Sequence, residues 1–336
     1  MAYQTSANLV SLSENLPDDQ RYLLNMSEKS ANNMLGEIPV VTVPNMEMKV
    51  GYNDAVQTVK KTELNQSIRQ VELTNGNEKT EVVKTLAAKI PAAYMQKYYN
   101  NGMTDEIIAN QMRKIATDTR NDFYRQIFKG YSNSMTTDVI DGLQVRCNDD
   151  GVNHFYNGID TANKAPKALS LSFLDEMIME YLRFSRSNPV IILPSRMYSV
   201  IFAKAMRDGK FGNFIMQKNE FGKTIMTYND IPVRSAGTGV NGETSQYGQY
   251  VLDFDEVALD ASGSTTGSIY LADMNSTDGM FLINSSSAPL FEIRKNNDLN
   301  GNGQYDTFMF MAMGFGTASP IACTRISNIS NSDIVD

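Results

Sequence analysis

Apolar positions recur along this chain with two periods, and the switch from one to the other marks its elements. Ile108, Met112, Ile115, Phe123 and Ile127 fall at helical spacing. Thr104 is suited to cap that run, Asp105 and Glu106 stand at its positive end, and Lys129 with Gly130 closes it. The spacing predicts one helix over 104–129, about 26 residues and roughly 39 Å long. Its other face carries Arg113, Lys114, Arg120 and Arg125, expected to meet solvent or a partner.

Residues 46–88 alternate polar and apolar instead. Ile68, Val71 and Leu73 precede an Asn75-Gly76 pair, with Val82 and Leu86 on the return. Asn-Gly favours a two-residue turn whose central residues both take positive φ, so a long hairpin is predicted. Lys60, Lys61, Glu63, Arg69, Glu72, Glu78, Lys79, Glu81 and Lys84 stud it, so it is not expected in a core. An isolated two-stranded ribbon is marginal in water and must rest on something. Two readings stay open: a solvated edge ribbon on its own domain, or an arm laid across a neighbouring subunit.

Before the hairpin, residues 1–45 are acidic and interrupted by turn formers, with one short amphipathic helix expected from Pro17 through Met26. After a Gly/Asn-rich connection at 130–168, an α/β unit begins. Ser172 and Asp175 are spaced as a capping box, followed by Leu174, Ile178, Tyr181 and Leu182 on one face. Asn188-Pro189 stops that helix, and Val190 to Leu193 is a fully apolar strand. Pro194-Ser195 starts a second helix carrying Met197, Ile201, Ala205 and Met206, ended by Asp208-Gly209. Leu174, Ile178, Ile191 and Ile201 are the expected core of this unit. A β pair turning at Asn229-Asp230 follows, and the C-terminal quarter reads as sheet, which makes the class α+β.

Composition narrows the chemistry. The chain has 336 residues, with 38 acidic against 30 basic, a formal charge of −8, one histidine and two cysteines. The acidic balance argues against a dedicated nucleic-acid reader. His154, Cys147 and Cys323 cannot build a Cys/His zinc site or a disulfide framework, so a reducing compartment is expected. The first fifteen residues lack the basic start and apolar run of a secretory signal. The longest apolar stretch, Phe308 to Gly316, is about half of what crosses a bilayer, so no membrane span is expected.

The remaining motifs are weak. Gly237, Gly239 and Gly242 form G-x-G-x-x-G, but no helix follows to hold a pyrophosphate, and a flexible loop is the better reading. Asp298, Asn300, Asn302 and Gly303 imitate the start of a calcium loop, yet Met309 stands where the bidentate Glu belongs, so a turn between strands is expected. Asp273, Asn275 and Asp278 invite the same caution. His154, in a polar loop, reads as a solvated imidazole, and no carboxylate pair stands out for acid–base work. No cofactor is expected. Charge is blocked: residues 183–223 hold eight basic against two acidic residues, and residues 250–336 hold eleven acidic against three basic, which suits self-association or simply solvated faces.

The order of parts then becomes informative: acidic arm, charged hairpin, long helix, α/β unit, β-rich end. The stretches LSFLDEMIMEYLRF, NPVIILPSRMYSVIFAKAMRDG and NEFGKTIMTYNDIPVRSAG are the most specific. Over nearly its whole length the chain resembles the major capsid protein of tailed double-stranded DNA bacteriophages, the Hong Kong 97 (HK-97-type) fold. The resemblance implies an N-terminal arm (1–45), an extended loop (46–88), and a peripheral domain made of 89–168, with the spine helix at 104–129, together with 246–336. It makes 169–245 the axial domain.

It further implies homo-pentamers and homo-hexamers closing an icosahedral shell, assembled in a bacterial cytoplasm around a genome touched weakly and non-specifically. A separate scaffolding protein, a portal and decoration proteins are the implied partners. Inter-subunit contacts are then expected at Lys60, Lys61, Glu63, Arg69, Glu72, Glu78, Lys79 and Glu81. Lys210, Phe211, Asn213 and Lys218 are the expected capsomer-axis loop. Lys60 and Lys61 lie where some family members cross-link, though no motif matches. The rival readings are an encapsulin-like compartment shell, which shares the fold, and a two-domain soluble enzyme.

Overall fold

A computed structural model describes residues 4–6, 34–51, 78–93, 104–132, 139–157, 164–183, 187–218, 224–241, 246–260, 262–288, 290–299, 304–319, 321–332 and 334. The chain opens with β1 (Gln4–Ser6), β2 (Val40–Val43) and β3 (Glu47–Gly51), and continues at β4 (Glu78–Val82) and β5 (Lys84–Ala93). Then come α1 (Thr104–Lys129), the one-turn α2 (Leu143–Arg146), β6 (His154–Tyr156) and α3 (Leu171–Leu182). β7 (Pro189–Leu193) and α4 (Ser195–Asp208) lead to β8 (Lys210–Phe211), β9 (Phe214–Lys218), β10 (Thr224–Tyr228) and β11 (Ile231–Ser235). The hairpin β12 (Thr238–Asn241) and β13 (Gln246–Tyr250) follows, then β14 (Glu256–Val257), β15 (Thr265–Asp273) and β16 (Met280–Ser285). β17 (Phe291–Leu299), β18 (Gln304–Thr317) and β19 (Cys323–Ile329) end it.

Two large sheets carry the fold, which is α+β. One runs β6-β19-β15-β7-β11-β10-β9-β8, with β14 beside β15; the other runs β1-β2-β16-β18-β17, with β5 beside β18. β7 shows why its sequence is apolar throughout. Successive side chains point to opposite faces, and both faces of this strand are covered. Ile191 and Leu193 join one core with Leu174 and Ile178 of α3 and Ile201 of α4. Val190 and Ile192 face the other core, which holds Phe123, Ile127 and Phe128 of α1 and reaches Met309 to Phe315 of the second sheet. One strand therefore nails two layers together.

α1 spans the residues its periodicity indicates. Phe123 and Ile127 are buried and Ile115 packs partly against them; Ile108 and Met112 lie in the helix, with side chains outside the described residues. The Gly130 N–H bonds the Gln126 carbonyl and closes the helix. Arg120, expected toward solvent, is 5% exposed, because a 26-residue helix sandwiched in a core has little free face. The α3–β7–α4 unit follows expectation with three corrections. Asp175 does not cap α3; its Oδ1 accepts from Tyr228 Oη at 2.8 Å and Asn229 Nδ2 at 3.0 Å, and the N-cap is Ser170, whose Oγ pairs with Ser172 Oγ at 2.7 Å and makes no capping bond to a helix N–H. Leu182 and Met206 are exposed, since both lie at the solvent edge of their helices' apolar stripes.

Turn chemistry decides the next hairpin. Asn229 and Asp230 take φ of 47° and 65°, the positive pair that matches strand twist between β10 and β11. The glycine-rich segment is no flexible loop across its described part: β12 pairs antiparallel with β13, and this hairpin lies against α1. β17 and β18 pair on both sides of residues 300–303, as expected for strands joined by a turn.

The charged hairpin needs the largest revision. β3 pairs β4 in antiparallel register, Glu47 opposite Val82 and Gly51 opposite Glu78. Met48, Val50 and Val83 are buried with Val41, Val43, Phe281, Ile283 and Ala312, so the ribbon's base belongs to the body's own core. Leu86 is not on a hairpin return, because β5 pairs with β18 along 304–313. The Asn75-Gly76 turn, Lys60, Lys61, Glu63, Arg69 and Glu72 lie outside the described residues, as does the Pro17–Met26 segment. The two cysteines also depart from expectation: Cys147 and Cys323, with Cα atoms 6.5 Å apart and 176 residues apart in sequence, form a disulfide.

Candidate assembly surfaces

The ribbon's base is held by one buried ion pair. Arg146, the last residue of α2, bonds Glu81 of β4 through two parallel contacts, Nη1 to Oε1 at 2.5 Å and Nη2 to Oε2 at 2.8 Å. Its Nε donates to the Asp141 carbonyl at 2.7 Å, Nη2 to the Phe315 carbonyl at 3.1 Å, and Nη1 to Thr317 Oγ1 at 3.3 Å. All five guanidinium donors are thus used, and both side chains are only 5% exposed. A buried pair of charges is tolerated when it is geometrically complete in this way. Glu81 is therefore a foundation of the subunit and not a surface available to a neighbour. Lys79, half-buried, approaches Glu81 at 3.5 Å; burial first and the Arg146 guanidinium second lower its ammonium pKa.

The expected capsomer-axis residues fall on the terminal hairpin of the larger sheet. β8 is its edge strand, paired only through Lys210–Ile215 and Phe211–Phe214. Gly209 caps α4 in the left-handed region, φ 77°, and turns the chain straight into β8. Lys210, Asn213 and Lys218 are exposed, as is Ile215 on the same hairpin. Phe211 packs partly onto the α3–β7–α4 core with Lys204 Nζ 4.9 Å above its ring. Phe214 anchors the hairpin by packing at 4.5 Å on Tyr228, whose phenol pKa is pushed up by burial and then by Asp175. The hairpin therefore presents Lys210 and Lys218 on an exposed edge anchored by buried Phe214.

A third group was invisible as a site in the sequence. His154 lies on β6 and is buried; its Nε2 meets Ser327 Oγ at 2.8 Å, and Asp150 Oδ1 stands 3.5 Å from Nδ1. Burial, then the nearby Arg325, lowers its pKa to about 4, so the imidazole is neutral near pH 7. The solvated-loop reading fails because β6 joins the sheet beside β19. Arg325 donates from Nη2 to Glu256 Oε2 at 2.8 Å and from Nε to Ser268 Oγ at 3.0 Å. A cavity of about 220 Å³ opens here, bounded also by Tyr156, Thr266 and Asn328. Ser327 Oγ, the His154 ring and Asp150 follow one another in that order, but the serine is buried within β19 and the Asp150 carboxylate, which accepts from Tyr156 Oη at 2.7 Å, stands 3.5 Å from Nδ1, too far for a firm orienting bond. Local patterning gave no signal for Arg325 or Arg146, whose partners are 69 and 65 residues away.

The blocks of opposite charge partly neutralise each other inside one chain. Arg196 of the basic block pairs with Asp253 of the acidic block at 3.0 Å, while Lys129 of α1, outside the basic block, reaches Asp255 at 2.6 Å. Among the described residues, no cluster of three or more His, Cys, Asp or Glu could hold a metal ion, and no helix is long and apolar enough to cross a membrane.

With two sheets, one sandwiched long helix, a helix–strand–helix unit and a ribbon rooted beside α2, the architecture defines a class. It is the HK-97-type fold of shell-forming capsid and encapsulin subunits. The SrpI encapsulin of Synechococcus elongatus PCC 7942 superposes with a TM-score of 0.55 over 95% of this chain and 91% of that one, at 11% identity. A chain of the satellite phage P4 procapsid gives 0.50 over 95% and 93%, at 12% identity. The capsid of the empty GTA particle gives 0.53 over 98% and 95%, also at 12%. No protein-family model matches the sequence, and no curated protein matches it.

Proposed function

We propose that this chain is a major capsid protein that self-assembles into pentamers and hexamers, forming an icosahedral head shell around a double-stranded DNA phage genome. The observation that supports this most is the end-to-end correspondence with shell subunits, 98% of this chain and 95% of that one for the empty GTA capsid. The mechanism is symmetric association through many weak contacts that add by closure. In this reading residues 1–45 are the N-terminal arm, the ribbon beyond the β3–β4 base reaches a neighbour, α1 is the spine, and 169–245 form the axial domain. The β8–β9 hairpin points Lys210 and Lys218 at the capsomer axis. The protein has no catalytic role and takes no cofactor. A separate scaffolding protein, a portal and decoration proteins are its partners in the virion, and packaged DNA is touched weakly because the chain is acidic.

The encapsulin-like shell is the second reading, supported by the 0.55 superposition on the Synechococcus compartment. Electron microscopy of purified particles separates the two by diameter and nucleic-acid content. Replacing residues 53–76 with a short Gly/Ser connection leaves the β3–β4 base intact and is expected to yield folded subunits that no longer close into shells. A shell formed normally by that variant overturns the ribbon's role, and a stable monomer under all conditions overturns the shell.

A further inference from the structure

We infer that Cys147 and Cys323 form a redox-set latch on the base of the charged ribbon. The disulfide joins the C-cap of α2 to the first residue of β19. β19 is interior to the larger sheet, with Cys323 opposite Ala272 of β15. On the other side of the same peptide bond stands Arg146, whose guanidinium holds buried Glu81 through two parallel contacts. α2 has four residues, too few to hold its own conformation, so its position depends on what it is tied to. Its other ties include the burial of Leu143, the Gly142 N–H to the Gly130 carbonyl at the end of α1, Asn153 Nδ2 to the Arg146 carbonyl at 3.1 Å, and the Arg146 guanidinium to the Phe315 carbonyl and Thr317 Oγ1 of β18. The latch therefore sits where the ribbon, the long helix and the central sheet converge, and fixing α2 fixes the ribbon's anchor.

The inference rests on the shell reading in one respect: such a subunit is made in a reducing cytoplasm and meets oxidant after release, so both states occur. As thiols, the pair leaves the α2 corner free to open locally. Oxidation by a small-molecule disulfide proceeds by exchange. The Cys147 thiolate attacks the small disulfide, forming a mixed disulfide and releasing one small thiol. The Cys323 thiolate then attacks the Cys147 sulfur, closing the protein disulfide and releasing the second. Two electrons pass to the oxidant, and the two cysteine protons end on the released thiols. Both cysteines are buried, 0% and 1% exposed, so exchange requires that the corner open first and the latch closes slowly.

The test uses the full-length chain as dissociated subunits, checked by size exclusion, held either in dithiothreitol or in oxidised glutathione. Alkylation followed by intact mass counts free thiols, and limited proteolysis followed by mass mapping reads cleavage between residues 52 and 77. The expected result is two alkylated thiols in the reduced sample and none after oxidation, with ribbon cleavage slowed about fivefold or more on oxidation. Cys147→Ser and Cys323→Ser variants are expected to cleave at one rate in both conditions. Thiols that stay alkylatable in the oxidant overturn the proposal. So does equal ribbon cleavage in the two states, or uniform slowing at every site, which is what a merely structural cross-link produces. Because the readout needs no shell, a latch that works in a chain that never assembles counts against the shell reading alone.

Discussion

The ribbon's base and the α3–β7–α4 unit are fastened to the same body by opposite means. Leu174, Ile178, Ile191 and Ile201 of the unit share one apolar core whose contacts are many and individually replaceable. The ribbon has three buried apolar residues, Met48, Val50 and Val83, and a single complete ion pair. Apolar packing is non-directional and degrades in steps, whereas a buried charge pair is either complete or badly wrong. A projecting element thus obtains a defined root without a large hydrophobic surface.

The sharpest way to break the comparison is Arg146→Met, which leaves buried Glu81 with only Lys79, 3.5 Å away, to offset its charge. The expected loss is about 3–5 kcal/mol in chemical denaturation, and the partnered variant Arg146→Met with Glu81→Leu is expected to recover most of it. Leu174→Ala in the unit is expected to cost about 3 kcal/mol by the same measurement, with no second-site charge change able to rescue it. If Arg146→Met proves milder than Leu174→Ala, the contrast between the two fastenings is wrong.

A pH titration sharpens it further. His154 has a folded-state pKa near 4 against an ordinary 6.5, so the unfolded chain takes up the proton first as pH falls. Its contribution is full above about pH 6.5, declines between about 6.5 and 4, and is flat below, amounting to about 3 kcal/mol. His154→Gln is expected to flatten that window, read as the melting temperature against pH. The smallest local effect belongs to Asn229→Ala. It puts a Cβ-bearing residue without a local polar partner at φ 47° and removes the bond to Asp175, for about 1–2 kcal/mol by thermal unfolding.

The elements most legible in the sequence were those whose signals are local. The long helix announced itself by period and by its ends, β7 by an unbroken apolar run, and the β10–β11 turn by Asn-Asp. The unit's core was legible for the same reason, since helix and strand periods choose inward faces without reference to distant partners. What misled were residues whose surroundings come from far away. Glu81 looked like a surface charge because its partner is 65 residues on, and Asp175 looked like a cap because Tyr228 is 53 residues on. Arg120 and His154 looked solvated because nothing nearby says that a sheet will cover them.

By itself, then, the chain's pattern determined its elements, their order and the class of fold, because periodicity and turn chemistry act over a few residues. Only the tertiary structure decided which charges are buried, which cysteines meet and how far the ribbon belongs to its own subunit. Those outcomes depend on contacts between segments tens to hundreds of residues apart, and an ion pair or disulfide leaves no period in the sequence to announce its partner.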